Sequence, residues 1–211
     1  MSVSDLCPVS AFAGLPATKG SGGGLIATER ELGIARVTAR SGQRALLERL
    51  FHERYGIALP SGPRRACRRD VAAAGVAPES WMVTCESAGN DFAASLRSAC
   101  GAHASIVDLS DACAVLRLAG PCVRATLAKL LALDLHERRF APGDVAQTVA
   151  AHMSVTLWRL EQAQWGPAMF EICVGRSLAH ELYGAIRDSA AEFGFEFEPA
   201  PAPVCRGAIA P

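Results

Sequence analysis

The sequence predicts an α+β chain built from two tandem ferredoxin-like βαββαβ units, and three observations carry that expectation. Strand-like and helix-like stretches run in the order strand, helix, strand, strand, helix, strand, and the same order then repeats. RALLERL, from Arg44 to Leu50, matches RATLAKL, from Arg124 to Leu130, at Arg, Ala and both final-half Leu positions, with Arg49 and Lys129 similar. ESWMVTC followed by DFAASL parallels MFEICV followed by SLAHEL in order and type. A sheet of this kind carries its helices on one face. The other face must then be buried, either on the second unit or on another protein.

Residues 1 to about 28 hold Pro8, Pro16 and the run Gly20, Ser21, Gly22, Gly23, Gly24, with few large apolar side chains, and read as a flexible arm. The glycines do not make a nucleotide loop. GxGxxG from Gly20 would need glycine where Leu25 stands, and no GK[ST] follows. LGIARVTA then forms a strand, Ser41 stands as a helix cap, and Leu46, Leu47, Leu50 and Phe51 form the stripe of a helix closed by Gly56. PSGPRRACRRD is a loop whose Arg64, Arg65, Arg68 and Arg69 suit a solvated face, an acidic partner or an anion clamp. A weaker strand near Asp70 to Ala74 precedes ESWMVTCE, where Trp81, Val83 and Cys85 alternate with Met82 and Thr84. Asn90 or Asp91 caps a helix carrying Phe92, Leu96 and Cys100, which stops at Gly101 and feeds AHASIVDL.

The second unit opens with a half-buried strand, Ala114, Leu116 and Leu118 against Val115 and Arg117. Gly120 breaks it, Pro121 fits a first helical turn, and Val123, Leu127, Leu130 and Leu131 make the apolar stripe. Asp134 to Asp144 reads as a polar loop. VAQTVAAHMSVTLWRL alternates for a long run, Val149, Ala151, Met153, Val155 and Leu157 inward and Thr148, His152, Ser154 and Thr156 outward, as one strand or a bent hairpin. FEICV is a strand, and Ser177 caps a helix through Leu178, Leu182, Ile186 and Phe193 that Gly194 ends. FEFE closes the core region. The domain thus spans 29–198, with repeats of about 29–110 and 111–198, and 199–211 is a proline-rich tail.

The 211 residues are half apolar, enough for a sizeable core. Twenty-one basic residues balance twenty-one acidic ones, so no electrostatic footprint points to nucleic acid or an anionic membrane. MSVSDLCPVSAFAGL has no basic leader and no apolar run of secretory length, which leads to the expectation of a cytoplasmic protein. In that compartment Cys7, Cys67, Cys85, Cys100, Cys113, Cys122, Cys173 and Cys205 are expected as thiols, mostly small buried hydrophobes. None forms a CxxC pair, and the histidines show neither HxxxH nor HExxH, so no metal ligand set is assigned.

Three places could carry chemistry. His136 lies between Asp134 and Glu137 beside Arg138 and Arg139, a setting able to tune a general base. A loop histidine bonded to its neighbours explains the same residues. Asp108 and Ser110 could be acid and nucleophile, but an Asp after a strand commonly caps the turn that follows, and no base serves Ser110. His152 shares its face with Ser154 and Thr156 and has no acid to orient it. No catalytic and no cofactor-binding residue is therefore assigned.

VDLSDACAVLRLAGPCVRATLAK, LDLHERRFAPGD, AQTVAAHMSVTLWRL and FEICVGRSLAHEL, in that order, resemble the gamma subunit of heterotetrameric sarcosine oxidase over about Gly75 to Gly194. The DLS turn with its strand and Gly-Pro helix start also resembles the folate-binding domain of the glycine-cleavage T-protein. The resemblance implies a T-protein-like fold and a non-catalytic assembly subunit, with alpha, beta and delta subunits as partners. It implies FAD, FMN, NAD, zinc and tetrahydrofolate in those partners, none in this chain. Such a complex converts N-methylglycine to glycine, passing the one-carbon unit to tetrahydrofolate and electrons to oxygen. T-protein-type folate enzymes carry a glycine-rich loop with an essential aspartate, and AQTVAAHMSVTLWRLEQ, the nearest place for it, has neither. An equivalent subunit of a complex acting on another N-methyl amine, and a stand-alone folate-binding protein, are the alternatives.

Overall fold

The repeated strand and helix order folds, in the computed structural model, as two sheets that face one another, each with its helices on the outside. The structure describes residues 9–18, 23–87, 91–161 and 168–201.

From the N-terminus the first elements are β1 (Leu25–Arg30), β2 (Gly33–Ala39), α1 (Arg44–Tyr55), β3 (Arg65–Arg68), β4 (Val71–Ala77), β5 (Ser80–Cys85), α2 (Phe92–Cys100) and β6 (Ala104–Asp108). Five of these strands form one antiparallel sheet in the order β3-β4-β5-β2-β6. Removing β3 leaves the βαββαβ unit expected from the sequence. The arginine-rich stretch is thus not a plain loop: Arg65–Arg68 adds an edge strand to β4, and Arg69 makes the positive-φ turn between them. On the outer face Leu47 and Phe51 of α1 and Phe92 and Leu96 of α2 close over Val37, Trp81 and Val83.

Next come β7 (Cys113–Ala119), α3 (Val123–Ala128), β8 (Val145–Ala150), β9 (Met153–Arg159), β10 (Met169–Gly175), a 3₁₀ turn at Arg176–Leu178, α4 (Ala179–Ala190) and β11 (Phe195–Glu198). Their sheet runs β11-β1-β7-β10-β9-β8. Here β1 enters between the last and first strands of the unit, parallel to β11 and antiparallel to β7. The expected arm to residue 28 is corrected on this point. Leu25 and Ala27 are fully buried, and Phe12 lies edge-on to Phe197 in the same core. Few apolar residues suffice because the strand is held by two ladders at once. Its entry needs glycine: a Cβ on Gly24 would meet the Phe193 carbonyl oxygen at 2.0 Å, and Gly120, at φ +121°, lies against the Gly24 carbonyl. Residues 1–8 and 19–22 of the expected arm lie outside the described residues, as do 202–211 of the tail.

Several local expectations change. The long alternating run is a hairpin whose two-residue turn, Ala151 and His152, has φ of 44° and 72°. That turn reverses the inside–outside phase, so Val149 faces out beside Ser154 while Ala150 and Met153 go to the core. Ser41, Asp91 and Ser177 cap no helix through their side chains; α1 starts after Gln43, and the 3₁₀ turn leads into α4 with Leu178 exposed. The stretch from Asp134 to Asp144 is anchored by Leu135 and Phe140 and is not wholly polar.

Between the sheets a third apolar cluster joins Ile34, Ala74 and Met82 of the first to Val115, Val145, Trp158, Met169 and Cys173 of the second. The face that each helix-covered sheet leaves open is therefore buried on its sister, over the β4, β5 side of one and the β8, β9 side of the other.

Candidate functional site

The inter-sheet layer also contains charge. Glu171, near the middle of β10 and 2% exposed, accepts Arg117 through Nε at 2.9 Å and Nη2 at 2.7 Å, and accepts the Trp158 indole N–H at 2.7 Å. Arg30 of β1 approaches the same oxygen at 3.5 Å and reaches Glu86, just past β5, at 2.8 Å; Arg117 also reaches Glu86, at 3.3 Å. Two arginines and two glutamates thus tie the second sheet to the end of the first. A buried carboxylate is tolerated only when its charge and lone pairs are matched, and this one is. The sequence signal was present, a glutamate inside the otherwise apolar FEICV, but nothing in spacing names its partner.

A second tie joins the units at the opposite edge. Arg64 forms an ion pair with Asp144, the Val145 N–H donates to Pro63 O at 2.9 Å, and Gly143 takes φ +83° against the Arg64 side chain. One arginine of the predicted cluster therefore has an internal carboxylate; Arg68 and Arg69 stay exposed.

The candidate catalytic residues turn to local tasks. Asp108 Oδ1 accepts the Ser110 N–H at 3.0 Å and its hydroxyl at 2.8 Å, while Ser110 Oγ accepts the Ile34 N–H at 3.0 Å. This is the turn that fastens the link between units to β2. His136 is exposed, its N–H donating to Asp134 Oδ1 and its Nδ1 accepting the Arg138 N–H at 3.3 Å. His152 is exposed in the hairpin turn. The three candidates are not brought together. Among the described residues no group of three or more His, Cys, Asp or Glu side chains is placed to hold a metal ion, and no helix is long and apolar enough to cross a membrane. Cys67, Cys85, Cys100, Cys113, Cys122 and Cys173 carry free thiols; Cys7 and Cys205 lie outside the described residues.

Where the sheets diverge, between β6 and the hairpin end of β8 and β9, they leave an open cleft of about 760 Å³. Arg36, Met82 and Val107 line one wall, Val149, Thr156 and Cys173 the other, with Cys113 at its base. Cys113 and Cys173 are diagonal neighbours on β7 and β10. A hydrogen bond from the Cys173 thiol, with help from the Arg36 charge and against burial, brings Cys113 down to about 7; the same contact, with burial, pushes Cys173 up. Neither Arg36 nor this thiol pair was singled out from the sequence, because only the packing of the two sheets brings them together.

Two solved structures share this architecture. A chain of heterotetrameric sarcosine oxidase from Corynebacterium sp. U-96, solved with pyrrole 2-carboxylate, superposes with TM-score 0.73 at 23% identity over 88% of this chain and 96% of that one. The glycine cleavage system aminomethyltransferase T of Bartonella henselae superposes with TM-score 0.59 at 15% identity, over 84% of this chain and 48% of the other. These likenesses define the class, a T-protein-like fold of paired βαββαβ units. The model of the sarcosine oxidase gamma subunit family matches residues 40–192, which spans both units, and the chain belongs to that family. Sarcosine oxidase subunit gamma of Arthrobacter sp. and that of Corynebacterium sp. strain P-1 are each 29% identical over 143 residues, 66% of this chain and 68% of theirs.

Proposed function

We propose that this chain is the gamma subunit of a heterotetrameric sarcosine oxidase and that it completes the assembly without turning over substrate itself. The observation that carries this reading is the family match across residues 40–192, which runs from just before α1 to just past α4 and so reaches through both units. The local geometry supports it: Asp108, Ser110 and His136 are engaged in turn hydrogen bonds, and the carboxylate beside the Ser110 hydroxyl, Asp108, spends the same oxygen on the Ser110 N–H of that turn. The alpha, beta and delta subunits are the partners, and FAD, FMN, NAD, zinc and tetrahydrofolate belong to them. The complex is cytoplasmic.

Co-expression with and without this chain tests the proposal. With it, the flavin-bearing subunits should elute as a complete heterotetramer from size-exclusion chromatography. Without it, a complete and fully active complex of the remaining subunits would refute an assembly role.

A further inference from the structure

The cleft between the sheets contains a cation with no carboxylate to pair it. Arg36 points from β2 toward it, paired in register with Met82 and Val107, and its Nε is buried without a hydrogen-bond partner among the described residues. None of the residues lining the cleft is an aspartate or glutamate. By contrast, Arg30, Arg64 and Arg117 each have a glutamate or aspartate at salt-bridge distance. The Arg36 side chain is half-buried and its Nε–H is removed from water without an acceptor, whereas a buried polar group is normally matched. The volume, about 760 Å³, is that of a small-molecule site. Val107 and Val149, both about half exposed, line this opening. Their side chains offer apolar contact on either wall.

We propose that the inter-sheet cleft binds a small organic carboxylate, its two oxygens on the Arg36 guanidinium and its apolar body between Val107 and Val149. The planar fork of arginine matches a carboxylate in two parallel hydrogen bonds. A single arginine, with apolar walls and no second cation, suits a monoanion better than a phosphate. Thr156 and Ser154 add hydroxyls on the β9 wall for a polar substituent. The site goes beyond the assembly role and does not depend on it.

Cys113 lies in the same cleft and makes the occupant detectable. Iodoacetate carries a carboxylate and iodoacetamide does not; with either, the Cys113 thiolate forms the S–C bond as the C–I bond breaks and iodide leaves. Alkylation is followed at Cys113 by peptide mass spectrometry, in the full chain and in the co-expressed complex, with the urea-denatured chain as reference. The ratio of iodoacetate to iodoacetamide rates should exceed that of the denatured chain about tenfold, the scale of a charge-assisted bond. Benzoate should slow both reactions in a saturable way. Arg36→Gln should abolish the preference and the benzoate protection, and Arg36→Lys should keep part of each. An unchanged ratio in the native wild-type chain overturns the proposal, a result that stands even if Arg36→Gln fails to fold. So does a preference that survives Arg36→Gln. Cys113 open in the chain alone but closed to both reagents in the complex would show that a partner subunit fills the cleft, and would overturn it equally.

Discussion

Arg117 and Glu171 stand directly opposite one another on β7 and β10, and the arginine gives both Nε and Nη2 to a single carboxylate oxygen. The other oxygen takes the Trp158 indole N–H. The pair is the fixed point of the inter-sheet layer, because Arg30 and Glu86 extend it from β1 to the far sheet.

Glu171→Ala should therefore cost about 3 kcal/mol or more in stability, the usual consequence of leaving a buried charge without its partner. Arg117 and Trp158 would lose an acceptor, and Arg30 a counter-charge. Urea unfolding of the variant reads the loss. A replacement that removes both charges, Arg117→Met with Glu171→Leu, should recover much of it. If the single and double variants unfold alike, the charges do not act as a pair.

The Arg64–Asp144 tie should behave asymmetrically. Arg64 is more than half exposed, and a surface ion pair contributes at most about 1 kcal/mol, so Arg64→Met should change stability little. Asp144 also accepts the Ala141 N–H at 2.6 Å through its other oxygen. Asp144→Ala removes a turn-capping bond as well, and such caps are worth about 1 kcal/mol. Equal losses in the two variants would show that the ion pair alone matters there.

At the β8–β9 hairpin both turn residues have positive φ, the geometry that favours Asn-Gly. Ala151→Asn with His152→Gly should raise stability by about 1 kcal/mol by relieving side chains that resist this region. Thermal unfolding measures the gain. A loss instead would mean that Ala151 or His152 makes a contact that outweighs the backbone strain.

Cys113 should titrate early. Its alkylation rate by iodoacetamide should rise with a midpoint near 7, against an ordinary thiol value of 9.0, because the thiolate is favoured by the Cys173 thiol and the Arg36 charge. The sign is that of a depressed acid: the reactive anion is present above the midpoint and lost as pH falls through it. Cys173→Ala removes the first cause and should move the midpoint upward. A midpoint unmoved by that substitution would assign the shift elsewhere.

Periodicity made most of the fold legible. β5, β7, β10 and the helices after β2 and β10 follow from Trp81, Val83 and Cys85, from Leu116 and Leu118, and from Leu47, Phe51, Leu182 and Ile186. What periodicity cannot express is pairing between distant strands. Leu25 and Ala27 look like the end of an arm until β7 and β11 are placed on either side of them. The hairpin was open between two readings because a two-residue turn without glycine leaves the alternation unbroken while reversing its phase. The resemblance in the DLS and FEICV stretches indicated the family, yet Glu171, Arg36 and Cys113 acquire their surroundings only when the two sheets meet.

The central claim, that this subunit completes a complex and performs no chemistry, is tested most directly by steady-state kinetics on the intact, size-purified complex containing Asp108→Ala, His136→Ala or His152→Ala. A lower yield or stability of the complex is expected for some of these variants, with kcat/KM of the assembled enzyme within about tenfold of the parent, 1.4 kcal/mol of barrier. A variant that assembles normally yet loses on the order of a thousandfold in rate, as removal of a general acid or base does, would contradict it.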